Sequence, residues 1–166
     1  MAGIGFTANQ AWTPEVYVKY GIVNRIPVMV SRNNTNNFVN GAVCTMTAPY
    51  EIQVGSLGAN TPVMGLVVAQ NQAPDFAVGV ECTVSVMLPT PGAVVTIPLS
   101  AFDQQGQPDA TNGMVPLYYT KEGLLTTNTK NAVSSTTPFA FAIASDQVNA
   151  DIIFNTVSNM SGYATL

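Results

Sequence analysis

Val80-Glu81-Cys82-Thr83-Val84-Ser85-Val86-Met87-Leu88 decides the fold class of this chain. Val80, Cys82, Val84, Val86 and Leu88 alternate with Glu81, Thr83, Ser85 and Met87. Successive side chains of a strand point to opposite faces, so a period of two marks a strand with one buried side. Pro89-Thr90-Pro91-Gly92 ends the run as a turn, and residues 93–99 resume it. Upstream, residues 62–70 are almost continuously apolar, as in a strand buried on both faces. Before them, Ala42, Cys44, Met46 and Ala48 share one face, with Thr45 and Thr47 on the other.

Downstream the same grammar continues. Residues 100–113 are polar, with Gly106, Pro108 and Asn112-Gly113, and read as a loop. Residues 115–120 and 124–127 flank Lys121-Glu122-Gly123, a bulged hairpin turn. Phe139, Phe141 and Ile143 alternate with Ala140, Ala142 and Ala144, and a last strand runs near residues 151–157. Residues 22–31 form a strand that Pro27 demotes to an edge or a bulge. No window carries an amphipathic helix, and residues 100–105 and 144–148 are each expected to form at most one turn. Short strands at a spacing of roughly 8–12 residues predict an all-β chain. The expected fold is one small β-sandwich, jelly-roll-like, or a β-barrel, with an extended N-terminal arm. Residues 1–39 are expected to be that arm and an edge strand docking on neighbouring subunits, and 40–166 the all-β body with a short irregular tail.

Composition narrows the function. The 166 residues are 47% hydrophobic and only 8% charged, against about 25% charged in an average soluble chain. Asn, Gln, Ser and Thr together supply 50 residues, so polarity comes from neutral groups. The net charge of −4 is sorted. Lys19, Arg25 and Arg32 stand against Glu15 in residues 1–50, while eight carboxylates face Lys121 and Lys130 beyond them. So few cations cannot neutralise several phosphates, and no nucleic-acid partner is expected. No apolar run reaches roughly 18 residues, so no membrane-spanning helix is expected. The opening Met1-Ala2-Gly3-Ile4-Gly5-Phe6 has neither a basic segment nor a long apolar one, so no secretory signal is expected. The two cysteines, Cys44 and Cys82, are expected to be free thiols acting as small buried hydrophobes.

Catalytic chemistry finds little to work with. The chain has no histidine, which removes every Ser-His-Asp or Cys-His arrangement. A carboxylate pair is the remaining possibility, drawn from Glu51, Asp75, Glu81, Asp103, Asp109, Glu122, Asp146 and Asp151, most of them in turn contexts. Residues 103–109 lack the ligand spacing and terminal Glu of a calcium loop. Gly55-Ser56-Leu57-Gly58 lacks the lysine and helix of a phosphate loop. No enzyme activity, cofactor or metal is expected. The aromatic residues Phe6, Trp12, Tyr17 and Tyr20 of the arm need a surface to cover them, and Tyr118-Tyr119 reads as one core tyrosine beside one at an interface.

The order of segments resembles one family. Gly41-Ala42-Val43-Cys44, Val63-Met64-Gly65-Leu66-Val67-Val68-Ala69, the 80–88 strand, Val115-Pro116-Leu117-Tyr118-Tyr119 with Gly123-Leu124-Leu125, and Pro138-Phe139-Ala140-Phe141-Ala142 follow one another. Over residues 40–157 this is similar to the small all-β decoration, or cement, proteins of tailed-phage heads. These share a G-x-x-V/L strand, a G-x-V/A strand, a P-L-Y…G-x-L hairpin and a late F/G-x-A strand in that order. The resemblance implies a structural virion protein, made in the host cytoplasm, that binds the outer capsid surface and bridges major capsid proteins as a homotrimer. Phe6, Trp12, Tyr17, Lys19, Tyr20, Arg25 and Arg32 are then the capsid-contact candidates. The alternatives are a carbohydrate- or receptor-binding module using Trp12, Tyr118 or Tyr119, and a minor coat or fibre component elsewhere on the virion.

Overall fold

The computed structural model describes residues 16–31, 34, 39–68 and 83–156. Among them, eleven strands and one short 3-10 turn at Leu99–Ala101 make an all-β fold. In chain order the strands are β1 (Tyr17–Tyr20), β2 (Arg25–Val30), β3 (Val43–Ala48), β4 (Glu51–Val54), β5 (Gly65–Val68) and β6 (Thr83–Met87). They continue with β7 (Val94–Pro98), β8 (Val115–Tyr119), β9 (Leu125–Thr126), β10 (Ala140–Ser145) and β11 (Asn149–Phe154). They divide into a six-stranded sheet, ordered β9-β8-β10-β11-β7-β1, and a closed five-stranded barrel, β2-β4-β3-β5-β6.

Period two builds both layers at once. In the barrel strands one set of side chains points inward: Val28, Val30, Cys44, Ile52, Val54, Val67, Val84 and Val86 fill the interior. The alternate residues Val43, Leu66, Val68 and Met87 point outward and pack with Val95, Ile97, Leu117, Leu125 and Ile152 of the sheet. The barrel wall is therefore buried on both faces where it meets the sheet. That explains why all four residues of β5 are buried and why the sequence there is apolar without alternation. Each such side chain contributes about 1.5–3 kcal/mol when removed from water.

Backbone geometry fixes the junctions. A Cβ on Gly65 would collide with the Met87 carbonyl oxygen, so β5 and β6 approach only because residue 65 has no side chain. Gly123, at φ +92°, turns the β8–β9 hairpin expected from Lys121-Glu122-Gly123 and brings its carbonyl to the Val43 N–H at 2.8 Å. Pro27 lies inside β2, opposite Ser85. The Leu88 N–H donates to Asn24 at 2.9 Å, which sets the phase of the ladder. Residues 24, 26 and 28 bond to β6, and residues 25, 27 and 29 face away from it. β4 joins that outer side only at Met29 and Val30. Pro27 thus loses no ladder bond, which is the edge position its ring requires.

One expectation changes. Residues 17–20 are not part of a detached arm, because β1 pairs antiparallel with β7 and forms the edge of the chain's own sheet. Val16 is buried against Gly41 and Ile97, so apolar burial draws this segment onto the body. Residues 144–148 make no helical turn: Ala144 and Ser145 finish β10, and Asp146 accepts the Val148 and Asn149 N–H groups at 2.7 and 2.8 Å to close a hairpin to β11. In β10 the alanines Ala140 and Ala142 face the core, and Ile143, skipped in the register with β11, is left at the surface.

Candidate interaction surface

Of the contact candidates that the structure describes, Tyr17, Lys19 and Tyr20 lie on β1, at the edge of the sheet. Tyr17 and Tyr20 on β1 are 48% and 64% exposed, and Ile22, just past the strand, is 83% exposed. Val18 turns the other way and packs on the core. Tyr17 and Lys19 line a depression of about 190 Å³ with Thr96, Ala144, Ser145, Asp146, Asn149 and Asp151. Arg25 begins β2 on the barrel and is exposed. Phe6, Trp12 and Arg32 lie outside the described residues.

Three polar groups of the depression bond to one another. Lys19 donates from Nζ to Asp151 Oδ2 at 2.7 Å, and Thr96 donates from Oγ1 to Oδ1 of the same carboxylate at 2.7 Å. The hydrogen bond to Asp151, then its charge, raise the lysine above its ordinary value. Its ammonium also sits 6.0 Å from the Tyr20 ring centroid, at the outer limit of a cation–π contact. Lys19, one of the capsid-contact candidates, is thus paired within the chain and links β1 to β11. Asp146 lines the same depression as Asp151. The Asn149 and Val148 N–H groups hold Asp146 below the usual carboxylate range, whereas a general acid needs the opposite shift.

Of the other carboxylate candidates, Asp75 and Glu81 lie outside the described residues. In the 103–109 loop, burial pushes the Asp103 carboxyl up. Hydrogen bonds from Asn131 at 2.7 Å, the Gln105 N–H at 3.2 Å and Thr126 at 3.1 Å outweigh this and hold it below its ordinary value. Those bonds staple the loop to β9 and the 128–131 turn. Among the described residues no group of three metal-ligating side chains occurs. No described helix is long and apolar enough to cross a membrane. Cys44 is a free thiol inside the barrel, pushed up to about 12 by burial. Cys82 lies outside the described residues. Tyr119 stacks edge-on against Phe139, with ring centroids 5.9 Å apart, and borders the core, while its neighbour Tyr118 is half-buried.

A second exposed surface has no counterpart in the sequence reading. Ile26, Met46, Thr47, Ala48, Pro49 and Tyr50 line an open apolar groove of about 660 Å³ at one end of the barrel. Tyr50 is 66% exposed at φ +58°. The only signal in the sequence was Pro49 between two short apolar segments, which marks a turn but not the residues grouped around it. Comparison with protein families, curated proteins and solved structures returns no match for this chain.

Proposed function

We propose that this chain is a non-catalytic structural protein that works by contact, and specifically a cement protein on the outer surface of a phage capsid. The carrying observation is the β1 edge of the sheet, where Tyr17, Tyr20 and Ile22 are exposed and no described strand pairs with the outer side of β1. Contiguous exposed apolar side chains mark surfaces that a partner buries, and tyrosines dominate the energetics of such contacts. An edge strand also offers backbone groups to a neighbouring chain. Low charge supports the same reading, since few ions need desolvation when neighbours close over the surface. A clamp that binds only the assembled shell stabilises it by mass action. The partners are then the major capsid protein and further copies of this chain in a homotrimer, with the virion surface as its location and no nucleic acid, membrane or cofactor involved.

Two experiments test the proposal. Mass spectrometry of separated heads and tails should find the chain in heads, and recovery only from tails would assign it to a fibre or tail component. Co-sedimentation with expanded heads should then weaken at least about tenfold for the Tyr17→Ala/Tyr20→Ala double variant. Undiminished binding by that variant would remove the sheet edge as the contact.

A further inference from the structure

The groove at the end of the barrel is a separate feature from the sheet edge, and its backbone surroundings specify what fits it. Ile26 partly packs on the barrel interior, and Met46, Pro49 and Tyr50 continue that apolar lining to the surface. The groove is thus the open mouth of the barrel. Beside it, the seam between β2 and β4 is incomplete. β4 pairs with β2 only through Met29 and Val30, and the chain ahead of Glu51 turns away into the β3–β4 hairpin. Among the described residues, no strand lies along residues 25–28 on that side. The phase set by the Asn24–Leu88 bond turns the Arg25 N–H, the Arg25 carbonyl and the Pro27 carbonyl towards the gap. Both residues are exposed.

We propose that this gap and the barrel mouth form a docking site for one extended, uncharged peptide strand from another protein chain. A strand laid beside β2 brings N–H groups two residues apart to the Arg25 and Pro27 carbonyls, the spacing those acceptors already have. A side chain between them enters the groove over Ile26, Met46 and Tyr50. None of the six lining residues is charged. Glu51, which follows Tyr50 in the chain, accepts a hydrogen bond from Thr47 at 3.3 Å. A charged side chain placed there would be desolvated without a partner, so the occupant is apolar or aromatic at that position. Self-pairing of two copies through this edge is disfavoured, because Pro27 has no N–H to return to its partner. Methionine suits such a site, since its flexible thioether adapts to the inserted side chain. Tyr50 holds the lip of the groove in a left-handed conformation that a side chain adopts only at a cost, and such positions cluster at ligand clamps. The site holds whether or not the partner is a capsid protein.

The test uses the isotopically labelled full chain and three probes. These are the peptide acetyl-Ser-Val-Thr-Phe-Thr-Val-amide, its Lys-for-Phe analogue, and a version N-methylated at alternate amides. The Phe peptide should give saturable shifts at residues 25–28 and 46–50 and slow exchange of the Arg25 amide at least about tenfold. The Lys and N-methylated peptides should each bind about tenfold more weakly, the loss expected for an unpaired charge or for missing strand hydrogen bonds. Tyr50→Gly should bind the Phe peptide at least about fivefold more weakly while unfolding at the same or higher denaturant concentration, which separates a docking role from a folding role. No saturable shift, shifts confined to Tyr17–Tyr20, or equal binding of the N-methylated peptide would each overturn the proposal.

Discussion

Residue by residue, the chain shows where side-chain size and ionisation are fixed by packing. Gly65 faces the Met87 carbonyl so closely that no Cβ fits. Gly65→Ala must push β5 off β6, and urea unfolding is expected to show a loss of about 2–3 kcal/mol, the upper range for overpacking. Cys44 is fully buried, with its thiol pushed up to about 12. Peptide-resolved alkylation at pH 8 should leave Cys44 unmodified in native protein and modify it fully in denaturant, because the thiolate is the reactive form. Asp109 and Asp146 are held below their ordinary value by hydrogen bonds, and Asp103 is held there against the opposing effect of its burial. A depressed folded-state value means stability present above the unfolded value of 3.8 and lost as pH falls through the folded one. Denaturant midpoints should therefore fall as pH drops below about 4, and less steeply in Asp103→Asn. Lys19 has the opposite sign: its raised value gives stability that is present below 10.5 and lost at more alkaline pH.

Among the elements, β1 shows how an arm and a strand share one stretch of sequence. Aromatic residues without sustained alternation read as an extended arm, and only the pairing with β7 shows that residues 17–20 belong to the sheet. Local sequence does not contain that pairing, because the partner residues 94–96 lie more than seventy positions away and strand pairing is non-local. A chain starting at Val16 serves as the reference for this strand. A chain starting at Ile22 should unfold several degrees lower, since it loses the β1–β7 ladder and the Val16 and Val18 contacts. Equal midpoints for the two truncations, read by circular dichroism, would show that β1 contributes nothing to the body. The Pro27 strand, by contrast, was legible from sequence as an edge or bulge, because a missing N–H constrains the backbone wherever it occurs.

At the scale of the whole molecule, the two cores share walls, so barrel and sheet should unfold together. Met87 is the clearest link: its strand lines the barrel while its side chain packs in the core beneath the sheet. Met87→Ala is expected to cost about 2–5 kcal/mol and to shift one cooperative transition, seen alike in near-ultraviolet and far-ultraviolet signals. Two resolved transitions would show that the layers fold independently. Light scattering on the isolated chain addresses the proposed homotrimer, for which a mass of three chains of 17.4 kDa is expected.

Composition and period two, by themselves, determined that the chain is all-β, where its main turns fall, and that histidine-dependent chemistry is absent. These are local properties: alternation, proline and glycine act within a few residues of where they stand. Which strands pair, that one layer closes into a barrel while the other stays open, and that Met46 and Tyr50 meet Ile26 in a groove were decided only by tertiary structure. The physical reason is that each alternating strand has two faces to bury and several partners able to bury them. Only the summed packing of all the strands selects one arrangement, and with it the surfaces left uncovered.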